Sequence, residues 1–540
     1  MKKTWFGWFV GVILVLVFTA VPVLTAASAG EERVWVQYYP GKQAAVGTEL
    51  AKAGAHFHHQ FADLDAFVVS LPHKSLASLY RNPNIVAIEE DPLRELVFNM
   101  PSTITGNSET PWTEQEVPYG VDMVQARDIW DSNRNNKIDP NAPTGAGRTV
   151  CIIDTGLFTD HEDIFGVDVI GGFSQTDEDP DRWTFDGHGH GTHVAGTVTA
   201  MHNDIGVVGV TPGTVSLFIV KIFDDEGKWV PKARASDLVK AANLCATNGA
   251  NVISMSLSGT QKSRFEERAF ENLYTAGVLS VAAASNDGID VYHYPASYDS
   301  VISVAALDEN FSIADFSQHN DQVELAAPGV NVLSTVPYIA SASVNVDGGI
   351  YEANHIEFAA YGNASGILVD GGRCLTTGAW SSALVLCERG DISFYEKVMN
   401  VQNSGGVAAV IYNNEPGNFW GTLGDGNSST ILAVSLSQDN GQYLVDHKLG
   451  FSAEVSSFFT PQASGYEAWD GTSMATPHVS AVAALIWSWN PALTNLEIRE
   501  ALQQTAMDLG EPGRDDYYGF GLVQAYDAWL YLGGGKPGKP

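Results

Sequence analysis

The chain has 540 residues, 45% of them hydrophobic, which is typical of two or three domains with apolar cores. Lysine and arginine total 29 against 63 aspartate and glutamate residues, so the formal net charge is −34. Because negative charge repels phosphate groups, this balance argues against nucleic acid or an anionic membrane as a partner. It is typical of a well-solvated acidic surface on an extracellular protein.

The first 29 residues have the composition of a secretory signal. Lys2 and Lys3 precede an apolar run over residues 5–24, and residues 27–29 are Ala-Ser-Ala, a small-residue cleavage signature. We therefore predict a signal peptide over 1–29 and a secreted protein with no membrane contact after cleavage. The alternative is an uncleaved anchor, since the apolar run approaches the length that spans a bilayer. The cleavage signature favours the signal peptide.

Residues 30–112 are predicted to form a separate small unit and a linker. Their apolar patterns predict strands over 34–38, 66–71 and 85–89, and helices over 47–55 and 75–81. This alternation predicts a compact ferredoxin-like α+β unit. From Asn99 to Thr113 the chain turns to Pro, Ser, Thr, Gly and Asn, which indicates an exposed linker open to proteolysis.

In the larger unit that follows, short apolar strands alternate with helices. Strands are predicted over 150–153, 217–220, 252–256, 279–284 and 301–305, with helices such as 232–248 between them. This pattern predicts an α/β fold, a parallel sheet with helices on both faces. Functional sites of such sheets lie at the carboxyl ends of the strands.

The alternation is interrupted between Thr335 and Tyr466. We predict a mainly β inserted domain over 341–461, which divides the larger domain into residues 113–340 and 462–532. The glycine-rich end of the chain, 533–540, is predicted to be a flexible tail.

Four cysteines in a chain of this length indicate that the fold rests on its core, with bridges as additions. Cys374 and Cys387 both lie in the insertion, and a bridge that closes this short loop is the simplest pairing. Cys151 and Cys245 then form a second bridge or remain buried thiols.

Three residues in separate motifs have the chemistry of nucleophilic catalysis. Asp154 ends a predicted strand, His190 precedes a small-residue helix, and Ser473 precedes the apolar helical run 479–487. Serine is a weak nucleophile, so acyl transfer needs an imidazole to take its proton and a carboxylate to orient the imidazole. The three motifs therefore predict a catalytic triad.

A zinc site is the alternative interpretation of the histidines, because His188, His190 and His193 form a close cluster in sequence. No carboxylate or thiol completes a recognisable ligand set nearby, which favours the triad.

The three motifs, in this order, resemble those of the subtilisin-like serine proteases. Five further segments share the resemblance: residues 117–120, 251–257, 281–288, 294–296 and 518–521. The resemblance implies a subtilisin-like α/β fold and a secreted serine endopeptidase that hydrolyses peptide bonds through an acyl-enzyme intermediate.

The resemblance extends to the flanking units. Residues 84–91 resemble the end of the propeptide that subtilases use as a folding chaperone and inhibitor. This implies a self-processing zymogen with maturation cleavage in the 99–113 linker. The insertion resembles a protease-associated domain, which acts as a lid or exosite for large substrates or is a packed accessory domain. We expect a monomer whose partners are protein and peptide substrates and its own propeptide.

The resemblance also implies roles for site residues. Ser473 would be the nucleophile, His190 the general base and acid, and Asp154 the group that orients His190. Asn286 and the backbone N–H of Ser473 would form the oxyanion hole, because an amide in a small-residue turn is a preorganised donor.

Substrate would bind as an added strand. The residues expected to contact it are Ser256, Leu257, Ser258 and Ala284. Subtilases more often have glycine where Ser258 stands, a difference that bears on the width of the first specificity pocket.

A structural calcium ion is implied by the resemblance as well. Its ligands would be the side chains of Gln115, Asp163 and Asn203 and the backbone carbonyls of Met201, Ile205 and Val207. Six oxygen ligands suit a hard cation.

The loop 131–139 is a second calcium candidate. Its spaced oxygens on Asp131, Asn133, Asn135 and Asp139 imitate a calcium-binding loop. The loop lacks the glycine and glutamate that such loops carry at the sixth and twelfth positions. A plain Asx-rich turn is therefore the equal alternative.

Two other function classes compete with a protease. A lipase or esterase would need Gly-x-Ser-x-Gly around its nucleophile, but Ala475 occupies the last position and the order of the triad differs. A non-catalytic binding protein would be expected to lack a triad member. Because Asp154, His190, Ser473 and Asn286 are all present, the endopeptidase is favoured.

Overall fold

The computed structural model describes residues 31–97, 115–176, 179–223, 232–337, 339–360, 362–419, 421–424, 427–460 and 465–535. The predicted signal peptide, the whole predicted linker over 99–113 and the end of the predicted tail lie outside these ranges. The described residues form two compact units that meet between Glu90 and Asp91 in the sequence. Within the described ranges, no helix combines the length and apolar character needed to cross a bilayer.

The first unit has the element order βαββαβ. Its elements are β1 (Glu31–Tyr38), α1 (Gln43–Lys52), β2 (His56–Phe61), β3 (Ala66–Pro72), α2 (His73–Leu79) and β4 (Ile85–Glu90). The strands form one antiparallel sheet in the order β2-β3-β1-β4. Strand β2 was not predicted, because three of its residues are histidines and most of it is accessible to solvent, so the apolar alternation of a strand is missing.

The larger unit is organised around a seven-stranded parallel sheet. Its elements before the insertion are β5 (Leu93–Leu96), α3 (Tyr119–Met123), α4 (Ala126–Trp130), β6 (Thr149–Asp154), β7 (Val169–Ser174), a 3-10 turn (Arg182–Thr184), α5 (His190–Thr199), β8 (Ser216–Lys221), β9 (Lys232–Arg234), α6 (Ala235–Thr247), β10 (Val252–Met255), β11 (Leu257–Ser258), α7 (Arg264–Thr275), β12 (Leu279–Ala283), β13 (Val301–Leu307), β14 (Val323–Pro328) and β15 (Val332–Thr335). The sheet order is β14-β13-β12-β10-β6-β8-β7, and every pair is parallel. The predicted α/β fold is confirmed.

The insertion is a mainly β domain, as predicted. Its elements are β16 (Ile339–Val346), β17 (Gly349–Glu357), β18 (Gly362–Asp370), β19 (Ala383–Glu388), α8 (Phe394–Asn403), β20 (Ala408–Tyr412), β21 (Gly421–Thr422), β22 (Leu432–Leu436), α9 (Gln438–His447) and β23 (Ser452–Thr460). They contribute to an eight-stranded sheet in the order β16-β23-β18-β19-β20-β22-β17-β21. The first and last strands pair along their length, so the insertion begins and ends at neighbouring positions.

All four cysteines are disulfide bonded. The bridge between Cys374 and Cys387 confirms the pairing predicted within the insertion. The bridge between Cys151 and Cys245 joins β6 to α6, so the alternative of two buried thiols is wrong. This second bridge fastens α6 to the strand that ends at Asp154.

After the insertion the chain returns to the domain of the seven-stranded sheet. The remaining elements are β24 (Tyr466–Trp469), α10 (Thr472–Trp489), α11 (Asn495–Thr505) and α12 (Ala525–Tyr531). Helix α10 starts before the predicted run 479–487, so Ser473 lies in its first turn and not in a turn ahead of it. Residues 472–487 are buried on every side, as a helix rich in alanine and other apolar residues allows.

Candidate active site

The carboxylate and imidazole of the predicted triad are in direct contact. Asp154 is the last residue of β6, and His190 is the first residue of α5. Asp154 Oδ1 lies 2.8 Å from His190 Nδ1, and both side chains are 0% exposed. A buried carboxylate at Nδ1 keeps the proton of the neutral ring on that atom, which makes Nε2 the basic atom.

Asp186 secures the start of α5, although the sequence analysis did not select it. Its Oδ1 accepts 2.8 Å hydrogen bonds from Gly189 N and Thr155 Oγ1. Its Oδ2 accepts from Thr192 N at 2.8 Å and Thr192 Oγ1 at 2.7 Å. A carboxylate that receives the N–H groups of a helix start stabilises that end. Asp186 thereby positions His190, and the available signal was an aspartate ahead of a glycine-rich helix start.

The predicted substrate-binding strand β11 pairs with a segment of the chain itself. Strand β5 is the middle strand of a three-stranded antiparallel sheet in the order β11-β5-β9. Leu96 is paired with Leu257, and Glu95 with Ser258. The segment therefore occupies the position of an added peptide strand, which is how a sheet edge recognises an extended backbone.

Val97 presents its carbonyl to Ser473. The backbone N of Val97 donates to Ser256 O at 3.2 Å, and Ser473 Oγ donates to the carbonyl oxygen of Val97. Ser473 Oγ also lies 3.4 Å from Ser256 O. The nucleophile, the binding strand and a peptide carbonyl thus meet at one point, which the sequence analysis did not foresee for Val97.

Asn286 is oriented by the residue before the serine. Its Oδ1 accepts hydrogen bonds from Thr472 N at 2.9 Å and from Thr472 Oγ1 at 2.8 Å. These two donors fix the orientation of the Asn286 amide, so Nδ2 lies on the side of the amide away from Thr472. Nδ2 is buried and has no hydrogen-bond partner within the part of the chain that the structure describes. A buried, preorganised donor without a partner is what an oxyanion requires.

Ser258 takes part in a buried polar cluster. Ser258 Oγ lies 3.3 Å from Ser285 Oγ and 3.2 Å from His293 Nδ1. Ser285 follows the buried Ala284. The hydroxyl of Ser258, at the position where subtilases more often have glycine, is therefore held by Ser285 and His293.

The three clustered histidines do not converge as metal ligands. His193 Nε2 lies 3.1 Å from two backbone carbonyls, those of Val332 and Glu467, so this nitrogen carries the proton. Burial lowers the pKa of His193 to about 3. No group of three or more histidine, cysteine or acidic side chains in the described ranges could hold a metal ion. The arrangement favours the triad over zinc.

The residues expected to bind calcium lie together. Gln115 Nε2 is 2.7 Å from Met201 O, 3.3 Å from Asn203 Oδ1, 3.1 Å from Ile205 O and 3.2 Å from Val207 O. An amide nitrogen carries two protons and cannot donate to all four acceptors. A surplus of converging oxygens fits a hard cation.

Asp163 borders this group of oxygens. Its Oδ1 accepts from Asn203 Nδ2 at 2.9 Å, and its Oδ2 accepts from Val207 N at 2.7 Å. Gly206 has φ +56°, and a Cβ there would lie 2.2 Å from Asp163 Oδ2, so the loop needs glycine at this position. The carboxylate thus adds negative charge beside the neutral oxygens.

In the second calcium candidate, the loop 131–139, the carboxylates accept hydrogen bonds from other groups of the protein. Asp131 accepts from Arg127 Nη2 at 3.0 Å and from the backbone N of Asn135 at 2.9 Å. Asp139 accepts from Ser132 N at 2.9 Å and from Asn133 Nδ2 at 2.9 Å. Because protein donors already satisfy these carboxylates, the arrangement favours the Asx-rich turn over a calcium site.

Two family models match the chain. The model for the subtilase family matches residues 145–364 and 440–521, and that for the PA domain matches residues 340–444. Together the subtilase regions span more than half of the chain.

Individual proteins are similar as well. Over 235 residues the chain is 39% identical to subtilisin DY of Bacillus licheniformis. The aligned region covers 43% of this chain and 79% of that protein. Over 298 residues it is 34% identical to a thermostable alkaline protease of Halalkalibacterium halodurans, with coverage of 55% and 72%. The crystal structure of fervidolysin from Fervidobacterium pennivorans, a keratinolytic enzyme related to subtilisin, aligns with a TM-score of 0.59 at 22% identity, covering 94% of this chain and 62% of that one.

A buried carboxylate–imidazole pair, a serine at a peptide carbonyl and an amide donor beside it define a serine hydrolase that acts on extended peptides. With the family match, the particular class follows. The chain belongs to the subtilase family, and it is a serine endopeptidase with an inserted PA domain.

Proposed function

We propose that this endopeptidase is secreted and is made as a zymogen that cleaves its own chain between Val97 and Phe98. The observation that carries the proposal is the carbonyl of Val97 at Ser473 Oγ, with the backbone N of Val97 bonded to Ser256. This is the placement of a peptide bond at its nucleophile. The proposed cleavage point therefore lies just before the linker over 99–113, where the resemblance to subtilases implied cleavage.

The reaction would use the residues as follows. Ser473 Oγ attacks the carbonyl carbon while His190 Nε2 takes its proton, and Asp154 stabilises the resulting imidazolium. Asn286 Nδ2 and the backbone N–H of Ser473 donate to the oxyanion. His190 then gives the proton to the leaving amine as the C–N bond breaks, which leaves an acyl-enzyme ester. A water molecule deprotonated by His190 hydrolyses the ester and restores Ser473.

The segment 91–97 would also act as an inhibitor after cleavage. It lies between β11 and β9, in the strand position that any substrate needs. Asp91 fastens its start, since Oδ1 accepts from Ser236 N at 2.9 Å and Oδ2 from Ser236 Oγ at 2.6 Å. Activity would therefore appear when this segment leaves or is degraded.

A structural calcium ion is part of the proposal. The surplus of oxygens around Gln115 supports it, together with the buried carboxylate of Asp163 beside them. The ion would join the segment at Gln115 to the loop 201–207. Its role would be to stabilise the native state, and no catalytic step depends on it.

The test is expression of the full precursor and of its Ser473→Ala variant. The wild type should release a fragment that ends at Val97, and Phe98 should be the first new N-terminus detected by sequencing. The variant should remain intact, because self-processing uses the same nucleophile. Processing of the purified variant alone, without added protease, would rule out self-cleavage by Ser473.

A further inference from the structure

Arg94 and Glu266 form a buried ion pair that the catalytic mechanism does not use. Arg94 Nε donates to Glu266 Oε1 at 3.0 Å, and Arg94 Nη2 donates to Glu266 Oε2. Both side chains are 0% exposed. The two parallel bonds between a guanidinium and a carboxylate make this a bidentate contact, which is selective for arginine.

The two residues belong to opposite sides of the substrate contact. Arg94 lies in β5, the strand that occupies the substrate position, whereas Glu266 lies in the first turn of α7. Because the carbonyl of Val97 is at Ser473, Val97 is the residue directly before the cleaved bond. Arg94 is then the fourth residue before it, and Glu266 belongs to the enzyme.

The pocket around Arg94 is built for a guanidinium. On the enzyme side, Arg94 Nη2 donates to Gln261 O at 3.1 Å, and within its own strand Nη1 donates to Leu93 O at 2.7 Å. Gly259 makes room, since a Cβ there would lie 2.7 Å from Arg94 Nη1. The N–H groups therefore meet carbonyl and carboxylate oxygens in a space without water contact.

Tyr298 supports the carboxylate from the enzyme side. Its hydroxyl donates to Glu266 Oε2 at 2.7 Å. Burial raises the pKa of Tyr298, and the charge of Glu266 raises it further, so the hydroxyl keeps its proton. When residues 91–97 leave, Glu266 Oε2 keeps the hydrogen bond from Tyr298, whereas Oε1 loses the guanidinium of Arg94. A cationic side chain of the substrate would take the place of that guanidinium.

We infer that Glu266 determines specificity by forming a buried subsite for arginine at the fourth position before the cleaved bond. The inference rests on the proposed function, because it assigns positions from the seating of Val97 at Ser473. Substrates would be proteins with an exposed segment of the form Arg-x-x-small apolar residue. A neutral side chain in this subsite would leave the carboxylate buried and unpaired, which is strongly unfavourable.

The decisive comparison uses the matured enzyme and four peptide p-nitroanilides. They share the sequence X-Ala-Leu-Val, and X is arginine, citrulline, lysine or leucine. Citrulline has the shape of arginine without its charge. We expect kcat/KM for arginine to exceed that for citrulline about 10- to 100-fold, the effect of a hydrogen bond to a charged group.

Two variants complete the design. Glu266→Gln should abolish the preference for arginine over citrulline. Glu267→Gln is the matched control, because Glu267 pairs with Lys262 at 2.6 Å and does not contact Arg94, so it should retain the preference. Titration of the serine with a fluorophosphonate normalises each rate to the fraction of folded enzyme. If Glu266→Gln does not fold, the wild-type peptide series still decides.

The possible results separate the two proposals. Hydrolysis of all four peptides at similar kcat/KM would overturn the subsite and leave the endopeptidase proposal standing. Failure to hydrolyse any of them, with no labelling by the fluorophosphonate, would overturn both.

Discussion

Ser256 Oγ donates a 2.9 Å hydrogen bond to the backbone carbonyl of Ser473, and Pro477 explains why that carbonyl needs a donor from outside its helix. In α10 the N–H four residues after Ser473 would normally bind its carbonyl, but proline has no N–H. This hydrogen bond thereby joins the predicted nucleophile to the segment that is predicted to bind the substrate backbone.

We expect Ser256→Ala to lower the free energy of unfolding by about 1–3 kcal/mol, because the buried carbonyl of Ser473 loses its donor. It should also lower kcat, since the turn that carries the nucleophile loses a constraint. Adding Pro477→Ala restores a helical N–H and should recover part of the stability. Urea unfolding of covalently inhibited enzyme measures this, and a double variant less stable than Ser256→Ala would contradict the account.

Local patterns were sufficient to predict the elements that carry the triad. The strand before Asp154 is a continuous apolar run, and the glycine-rich start of α5 marks His190, so each motif has its own signal. The helix beside Ser473 was predicted, but α10 starts at Thr472, because the proline in its second turn does not prevent the helix from beginning earlier.

The contacts that support the proposed cleavage point could not be predicted from the sequence. Arg94 and Glu266 are 172 positions apart, and neither segment contains a sequence pattern that predicts their pairing. Val97 reaches Ser473 only because β5 enters between β11 and β9, a long-range pairing that periodicity cannot reveal. The pairing of Cys374 with Cys387 could be predicted from the sequence because the bridge closes a short loop. The bridge of Cys151 could not be decided, because it depends on how α6 packs on β6.

Removal of the proposed oxyanion donor should act on turnover and not on binding. For Asn286→Ala we expect kcat to fall about 100- to 1,000-fold with little change in KM, because Nδ2 would contact the oxyanion and not the ground-state carbonyl. Thr472→Val removes the 2.8 Å hydroxyl contact that orients Asn286 and should produce a smaller fall. Steady-state kinetics on one p-nitroanilide tests both, and an unchanged kcat for Asn286→Ala would remove the residue from this role.

Calcium should stabilise the protein through the oxygens around Gln115. A ligand bound by the native state alone adds about 2.7 kcal/mol at a concentration 100 times its Kd, so chelation should lower the Tm. Gln115→Ala should make the Tm of the untreated protein resemble that of the chelated wild type. Asn133→Ala is the control in the second candidate loop and should leave the response to chelator intact. An unchanged Tm after confirmed metal removal would count against the site.

Stability should fall in mild acid because of buried neutral histidines. Burial lowers the pKa of His478 from 6.5 to about 4, although the carbonyl of Met474 at Nδ1 opposes this. Below pH 6.5 the unfolded state therefore binds more protons than the native state. The free energy of unfolding is highest above this pH and decreases as the pH falls toward 4. His478 alone should contribute about 2 kcal/mol of loss between pH 7 and 5.

His478→Asn should reduce that loss by the same amount. His193, which also has a lowered pKa, remains in the variant and retains its share. Denaturant unfolding of inactive Ser473→Ala protein at the two pH values, with saturating calcium, measures the difference. An identical pH dependence in both proteins would show that His478 does not titrate on unfolding.

The inserted domain is attached where it can affect the catalytic residues. Strands β15 and β24 lead into and out of it as an antiparallel pair, and His193 Nε2 contacts the carbonyls of Val332 and Glu467 on these two strands. On another side, the guanidinium of Arg182 lies 5.3 Å from the ring of Phe358 in the insertion. Arg182 belongs to the segment that precedes His190, so the insertion adjoins both flanks of α5.

We therefore expect deletion of residues 341–461 to affect large substrates more than small ones. Ala340, just before the deletion, pairs with Phe459, near its end, so we expect a short Gly/Ser bridge to join the two sides. The variant should hydrolyse a small chromogenic peptide at a rate near that of the wild type and lose most activity on folded or fibrous protein, because a domain that adjoins α5 would contact a large substrate beyond the residues next to the cleaved bond. Arg182→Ala, which loosens one contact without removing the domain, should give a smaller shift in the same direction. Circular dichroism confirms that each variant is folded. Equal loss on both substrate classes in a folded deletion variant would show that the insertion supports the fold and does not select substrates.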